Sequence, residues 1–399
     1  MNSISTPEIK RLLVSHGFFV FARTLFQLFM TLYIWQLTSS LASVAIFHII
    51  FVLAHCTFFT LCAPLVKKGH ARPVRIIGVI GTGFVLLGIF LIGEKTANYL
   101  ELIAFLYGSF NSLYWLTYHA YNFNLTHSGN RGNFTGFERA LNISGNLIAP
   151  ILGGFLITKN IFGLGYGNIF LLSMASLFAC ILIGNISAPV YNKRKFHLKE
   201  TAREVIKIPD LRRIILAGTV QNIGQHGALR ELIPIFLLIT LGRELDVGVW
   251  ITFFSAISII TALIIGKYLS YKYYKKSSVI AGGALSASLF TLIIWPTLPG
   301  YIIFGSLKEL FLPILNIVRR VYYQNLLDHV PDHTSHRTEY IVIREWMNVG
   351  LGRIISFVPL LFISSFTSFN MFLLLICMSI ATLMEPLFIL RIKTDVSKW

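Results

Sequence analysis

The stretch YNKRKFHLKETAREVIKIPDLRR, residues 191–213, is the longest hydrophilic run in the chain and carries eight lysines and arginines. Six apolar stretches can be drawn before it, at 12–36, 41–66, 74–92, 99–123, 140–157 and 168–190. Six more follow, at 214–241, 247–265, 278–296, 300–318, 346–363 and 369–390. Each is long enough, or nearly so, to cross about 30 Å of hydrocarbon as a helix. If the chain weaves twelve times, 27 of the 34 lysines and arginines, counting Arg75 in the first turn of the third span, fall on the side holding both termini and three on the other. Arg23, Arg230, Lys308 and Arg353 lie inside spans. One span more or fewer would mix the two sets. The positive-inside rule therefore predicts an all-α membrane protein of twelve transmembrane helices with both termini in the cytoplasm.

The predicted organisation is an N-terminal six-helix bundle over 1–190, a cytoplasmic linker over 191–213 and a C-terminal six-helix bundle over 214–399. Phe196, Ala202, Val205 and Ile206 give the linker an apolar pattern, which predicts a short amphipathic helix at the membrane interface. The net charge of +17 would suggest nucleic acid in a soluble protein. Here it sits on loops beside anionic headgroups, so no nucleic-acid partner is expected. A 55% hydrophobic content and mean hydropathy of +0.70 agree with a multi-pass protein of the plasma (inner) membrane. Cys56, Cys62, Cys180 and Cys377 all fall within spans and read as small apolar residues rather than a disulfide framework. The first apolar run has a span's length, too long for the core of a signal peptide. The sequence contains no G-x-x-x-x-G-K-[ST] loop, H-E-x-x-H or C-x-x-C, so no nucleotide, metal or other cofactor is expected.

The two halves carry a weak repeat. N-L-T-H at 124–127 follows the fourth span, and N-L-L-D-H at 325–329 follows the tenth. Arg139 precedes Gly145 by six residues at the fifth span, as Arg344 precedes Gly350 at the eleventh. At the fifth span, Gly136, Gly145, Ala149, Pro150, Gly153 and Gly154 stand at the spacing G-x8-G-x3-G-P-x2-G-G, with one glycine replaced by alanine. Small residues at that spacing allow close helix approach, and the proline bends the helix. With the 6+6 layout, this motif resembles that of antiporters of the major facilitator superfamily, and the resemblance covers the whole chain. It implies two pseudo-symmetric six-helix bundles and a role for Gly145, Pro150, Gly153 and Gly154 in sealing the transport path, as in drug/proton exporters. The family's other loop motif, G-x-x-x-D-R-x-G-R-R, is degraded. Val66 stands where the first aspartate belongs, and Ser270 at the counterpart position. Glu138 with Arg139 and Arg344 with Glu345 are candidates for a substitute gate.

Ionisable and amide side chains deep in a span are costly unless they face a cavity or a partner. Arg23 lies in the first span, Glu309 and Lys308 in the tenth, and Arg353 in the eleventh. Gln221, Asn222, Gln225 and His226 form a polar stripe in the seventh. The fourth carries Asn111, Tyr114, Trp115, Tyr118 and Asn122 at three- and four-residue steps, an aromatic and polar face that lipid would not require. The resemblance implies that spans one, four, seven and ten line the central cavity. The candidate substrate residues are therefore Arg23, Asn111, Tyr114, Trp115, Tyr118, Asn222, Gln225 and His226. The candidate coupling pair is Glu309 and Arg353, with a proton as the ion. Cation–π chemistry suits a cationic or aromatic solute, and Arg23 suits an anionic group.

The expected function is secondary active transport of a small solute by a monomer in the bilayer, proton-coupled and exporter-like. Lipid or lysophospholipid translocation on the same fold is the alternative. A membrane enzyme or receptor is the alternative of another class. No enzymatic activity is expected. The topology predicts that a cysteine placed at Ser368 reacts with an impermeant maleimide from outside intact cells. Labelling from the cytoplasmic side alone would show the register of spans to be wrong.

Overall fold

The computed structural model describes residues 7–126, 131–184, 186, 195–328, 330 and 333–393, and these contain helices and connecting turns but no strand. The first six spans are Pro7–Thr38, Leu41–Lys67, Ala71–Ile92, Leu100–Leu125, Arg131–Thr158 and Gly167–Ile183. Span seven is Pro209–Gln221, Asn222–His226 and Ala228–Leu241 in series. Spans eight, nine and ten are Glu244–Tyr268, Tyr274–Ile294 and Leu298–Asp328. Span eleven is built from His333–Glu345, Trp346–Gly352, Arg353–Phe357 and Val358–Phe362, and span twelve is Phe369–Leu390. Eight helical segments are long and apolar enough to cross a membrane unaided, and one of them, Ala71–Asn122, contains spans three and four. Gly167–Ile183 is a shorter apolar helix. The two remaining spans, seven and eleven, are those broken into pieces.

The breaks have a common cause. Asn222–His226 and Trp346–Gly352 are π-helical, with one extra residue taken into the turn. Span seven then stops hydrogen-bonding in register at Gly227, and the freed N–H of Ala228 donates to Ser356 Oγ of span eleven (2.6 Å). Glycines let the broken stretches approach: a Cβ at Gly218 would overlap the Asn348 amide, and one at Gly352 would meet Thr219 O and Asn222 Cβ. Span eleven thus supplies a polar group that the broken backbone of span seven needs, the condition under which non-helical backbone is tolerated at membrane depth.

The chain divides into two compact units of similar size. One comprises span one, Ile50–Phe196 and Leu241–Thr252; the other comprises Ser40–Ile49, His197–Thr240 and the remainder from Phe253. The division near 196 falls inside the linker drawn from sequence, and the first turns of spans two and eight are exchanged between units. Hydrogen bonds show why the start of span eight belongs with the first unit. Leu245 N donates to Thr158 Oγ1 (3.1 Å) and Thr252 Oγ1 to Leu147 O (3.0 Å). Glycines at the same seam set the approach: Gly154 lies against Glu244 O, and Gly248 against Pro150 O. Glu244 accepts from Gln36 Nε2 and from the Tyr166 hydroxyl (3.1 Å). Burial and the Glu244 charge hold that phenol well above the usual tyrosine range.

In the linker, Leu198–Lys207 is helical, with Thr201 and Val205 buried and Ile206 exposed. The linker residues up to 194 lie outside the described residues. The helix docks on the start of span eleven. Tyr340 Oη donates to Glu204 Oε2 (2.7 Å), and His197 N donates to Glu339 Oε1 (3.1 Å).

A Cβ added at Gly154 has no room. Gly154→Ala should therefore lower the thermal unfolding midpoint in detergent, at a cost of about 1–3 kcal/mol from overpacking. Gly83→Ala, facing open space, should leave it unchanged. Equal midpoints for the two variants would contradict the packing described at the seam of spans five and eight.

Candidate functional site

Two groups of membrane-embedded polar side chains stand out, one in each unit. The first is built on spans one and four. The three- and four-residue steps of span four put Asn111, Tyr114 and Tyr118 on one face, and all three are buried. They meet His16 and Phe19 of span one. Phe19 stacks on Tyr114 at 3.4 Å between centroids, and His16 on Tyr118 at 3.7 Å. His16 Nδ1 lies 2.9 Å from the Tyr114 hydroxyl, which makes a buried imidazole–phenol hydrogen bond. Trp115 stands edge-on to His16, Phe19, Tyr114 and Tyr118.

Trp115 is only partly buried, and the Arg23 guanidinium lies 5.1 Å from its ring centroid. This cation–π pair forms the more open side of the cluster. Arg23 and Asn111 also line one small cavity of about 10 Å³, with Thr82 of span three. The structure therefore gathers Arg23, Asn111, Tyr114, Trp115 and Tyr118 in one place. It adds His16, which sequence reasoning passed over. The available signal was spacing: His16 precedes Arg23 by seven residues and so shares its helical face.

The second group spreads over spans seven, ten, eleven and twelve. The π-turn separates the residues of the polar stripe. Asn222 accepts from Arg353 Nε (3.3 Å), Gln225 Nε2 donates to Thr382 Oγ1 of span twelve (2.9 Å), and His226 Nε2 approaches Asn316 Oδ1 of span ten (3.5 Å). Gln225 is fully buried against span twelve, while His226 keeps partial exposure. Glu309 keeps 20% side-chain exposure, and its ion-pair partner is the adjacent Lys308 at 3.1 Å. Arg353 turns to Asn222 instead.

Asn316 Oδ1 also accepts from Arg319 Nη2 (3.4 Å), and Arg319 Nε faces Glu385 Oε1 at 3.6 Å. Glu385 and Gln221 are both completely buried. A run of polar contacts therefore leads from His226 through Asn316 and Arg319 to Glu385. Glu385 lies in the last turns of span twelve, where position alone suggests an interfacial or packing role. Its depth came from packing against span ten, which no local pattern announces.

The gating and packing candidates separate by neighbour. Gly145 faces Val20 at 3.3 Å from a built Cβ, Gly153 lies against the Phe29 ring, and both contacts are to span one. Gly154 and Pro150 meet span eight. Glu138 is buried. The side chains of Arg139 and Gly136 lie outside the described residues. Arg344 Nη2 and Glu345 Oε2 are 3.9 Å apart, and the Arg344 guanidinium sits 5.3 Å from the Tyr323 ring centroid. Among the described residues, no three His, Cys, Asp or Glu side chains gather as a metal site.

Comparison with known proteins adds the following. The family model described as Major Facilitator Superfamily matches residues 12–318. The uncharacterized protein YqgE of Bacillus subtilis is 27% identical over 352 residues, covering 88% of this chain and 81% of its own length. An uncharacterized Geobacillus stearothermophilus protein, encoded in the sodM 3' region, is 27% identical over 173 residues. That match covers 43% of this chain and 80% of its own length. Among solved structures, a bacterial homologue of the iron transporter ferroportin, inward-facing, superposes with a TM-score of 0.70 at 14% identity, over 98% of this chain and 99% of its own. A D-xylose-proton symporter gives 0.71 at 11% identity, over 97% and 98%. At such identities the likeness is one of fold.

Removing the Glu385 carboxylate leaves the largely buried Arg319 guanidinium beside an apolar group. Glu385→Leu should lower stability by about 3–5 kcal/mol, and adding Arg319→Met should restore most of it. Thermal unfolding of the two single variants and the double gives the cycle. Strictly additive losses would show that the pair does not interact.

Proposed function

Because the chain belongs to the Major Facilitator Superfamily, we propose that it is a secondary active transporter of a small solute, working by alternating access, coupled to protons and directed outward. The family makes it a transporter rather than an enzyme. The observation that carries the rest is where the polar groups lie. On span one Arg23 stands over Trp115, and on spans seven and ten His226 meets Asn316 near the Lys308–Glu309 pair. Arg23, Trp115, His226, Asn316 and Glu309 remain partly exposed, while Lys308 and the aromatic and amide residues behind them are buried. Partial exposure of charge deep in a span is costly against lipid and favourable against a water-filled path.

The substrate class follows from the chemistry of the partly exposed residues. Trp115 offers a π-face, Arg23 a guanidinium, and His226 and Asn316 hydrogen-bonding groups. A solute with an aromatic or amphipathic body and a few hydrogen-bonding groups fits that set. Outward direction rests on the span-five motif. Gly153 and Gly154 hold that helix against span one on one face and the start of span eight on the other, so it is packed to move as a unit with its bundle. The chain acts as a monomer in the plasma membrane, with both termini in the cytoplasm.

In coupling, Glu309 takes up a proton in one conformational state and releases it in the other. Differential proton binding by two states is what links a gradient to their equilibrium.

Proteoliposomes with an imposed proton gradient and a panel of radiolabelled amphipathic solutes test this. Glu309→Gln, which mimics the protonated form, should abolish gradient-driven accumulation while leaving equilibrium exchange of the same solute within about threefold of the parent. Uphill transport with unaltered pH dependence in a stable Glu309→Gln protein would exclude Glu309 as the coupling group.

A further inference from the structure

Arg75 takes no part in the transport reading. It sits in the first turns of span three and is 4% exposed. Its Nη1 donates to Gly184 O at the end of span six (2.9 Å), and its Nη2 donates to Ser15 Oγ of span one (2.6 Å). The guanidinium carbon lies 5.5 Å from the Tyr114 ring centroid. These partners are all neutral, and no carboxylate among the described residues pairs with it. Gly184 is required for the arrangement, because a Cβ there would stand 2.8 Å from Arg75 Nη2. The carbonyl end of span six compensates part of the buried charge. The remainder calls for an anion.

A cavity of about 290 Å³ opens beside it. Arg72 and Arg75 line it together with Tyr121, and among the described residues no acidic one does. The other walls are mainly apolar. Two of them, Ile76 and Leu182, are 39% and 64% exposed, so in a membrane-spanning chain they lie against lipid. The cavity thus joins two guanidiniums to a lipid-facing apolar flank, beside the basic loop that precedes span three. That is the depth at which a bilayer presents its headgroups.

We propose that this cavity binds the phosphate of an acidic phospholipid, held as a fixed structural lipid and not as cargo. Arg75 is the buried anchor and Arg72 the contact at the rim, since the planar guanidinium fork matches phosphate oxygens in a way an ammonium does not. The acyl chains leave along Ile76 and Leu182. A free phosphate ion would use the two arginines but would gain nothing from that flank. The site lies wholly within the first unit and stands or falls independently of the transport reading.

Native mass spectrometry of the full chain in detergent, delipidated and titrated separately with phosphatidylglycerol, phosphatidylcholine and inorganic phosphate, tests the proposal. Phosphatidylglycerol should bind at least tenfold more tightly than phosphatidylcholine, and millimolar inorganic phosphate should not displace it. Arg72→Gln, at an exposed position, should weaken phosphatidylglycerol severalfold, and Arg72→Gln with Arg75→Gln should abolish the preference. Leu182→Asp keeps both arginines and places a carboxylate on the apolar flank. It should also weaken phosphatidylglycerol, with helicity by circular dichroism unchanged, so the proposal remains testable if the double variant does not fold. Equal binding of the two lipids would overturn it. So would an unaltered preference in Arg72→Gln and Leu182→Asp, or inorganic phosphate binding as tightly as phosphatidylglycerol.

Discussion

Hydrocarbon accepts no hydrogen bonds, and this constraint governs every irregular feature of the chain. A peptide group or ionised side chain within a span must find its partner inside the protein, or else face water, at a cost of several kcal/mol otherwise. Spans seven and eleven illustrate the backbone case. Both leave the regular helix through a π-turn, and they remain tolerable because Ser356 receives the freed N–H of Ala228 while Asn222 and Arg353 pair nearby. The glycines at 218 and 352 are there because any side chain would hold these polar stretches apart.

The side-chain case is met differently in the two units. The first surrounds its buried polar atoms with aromatic rings. His16 is stacked on Tyr118 and hydrogen-bonded to Tyr114, and Arg23 rests on Trp115. The second uses amides and ion pairs, with Asn316 between His226 and Arg319 and with Glu385 beyond. Rings fix geometry by shape and adjust little. Amide and ion-pair contacts at 3.3–3.6 Å can exchange partners with small side-chain rotations. Under the proposed coupling, that difference favours the second unit as the one that responds to protonation.

Much of this architecture was legible in the chain itself. The unequal distribution of lysine and arginine depends on register alone, so it predicted the count of spans even where span seven carries Gln221, Asn222, Gln225 and His226. The aromatic face of span four could be read because three- and four-residue steps survive in a regular helix. The stripe of span seven was misleading for the same reason. Its spacing assumed an α-helix, and the π-turn sends Asn222, Gln225 and His226 to three different neighbours. Arg75 and Glu385 were passed over because both stand near span ends, where burial is decided by the helix alongside. Gly184 for Arg75 and Arg319 for Glu385 are distant in sequence, and nothing local marks them as partners.

Alternating access, as proposed, requires the two bundles to exchange the side from which their polar groups are reached. Double electron–electron resonance between spin labels at Lys95 of the first unit and Thr297 of the second, both exposed, tests it most directly. In nanodiscs two distance populations are expected, with proportions that shift with pH and with a transported solute, while a pair of labels within the first unit gives one distance throughout. A single distance between Lys95 and Thr297, unmoved by pH and by every solute tried, would contradict it.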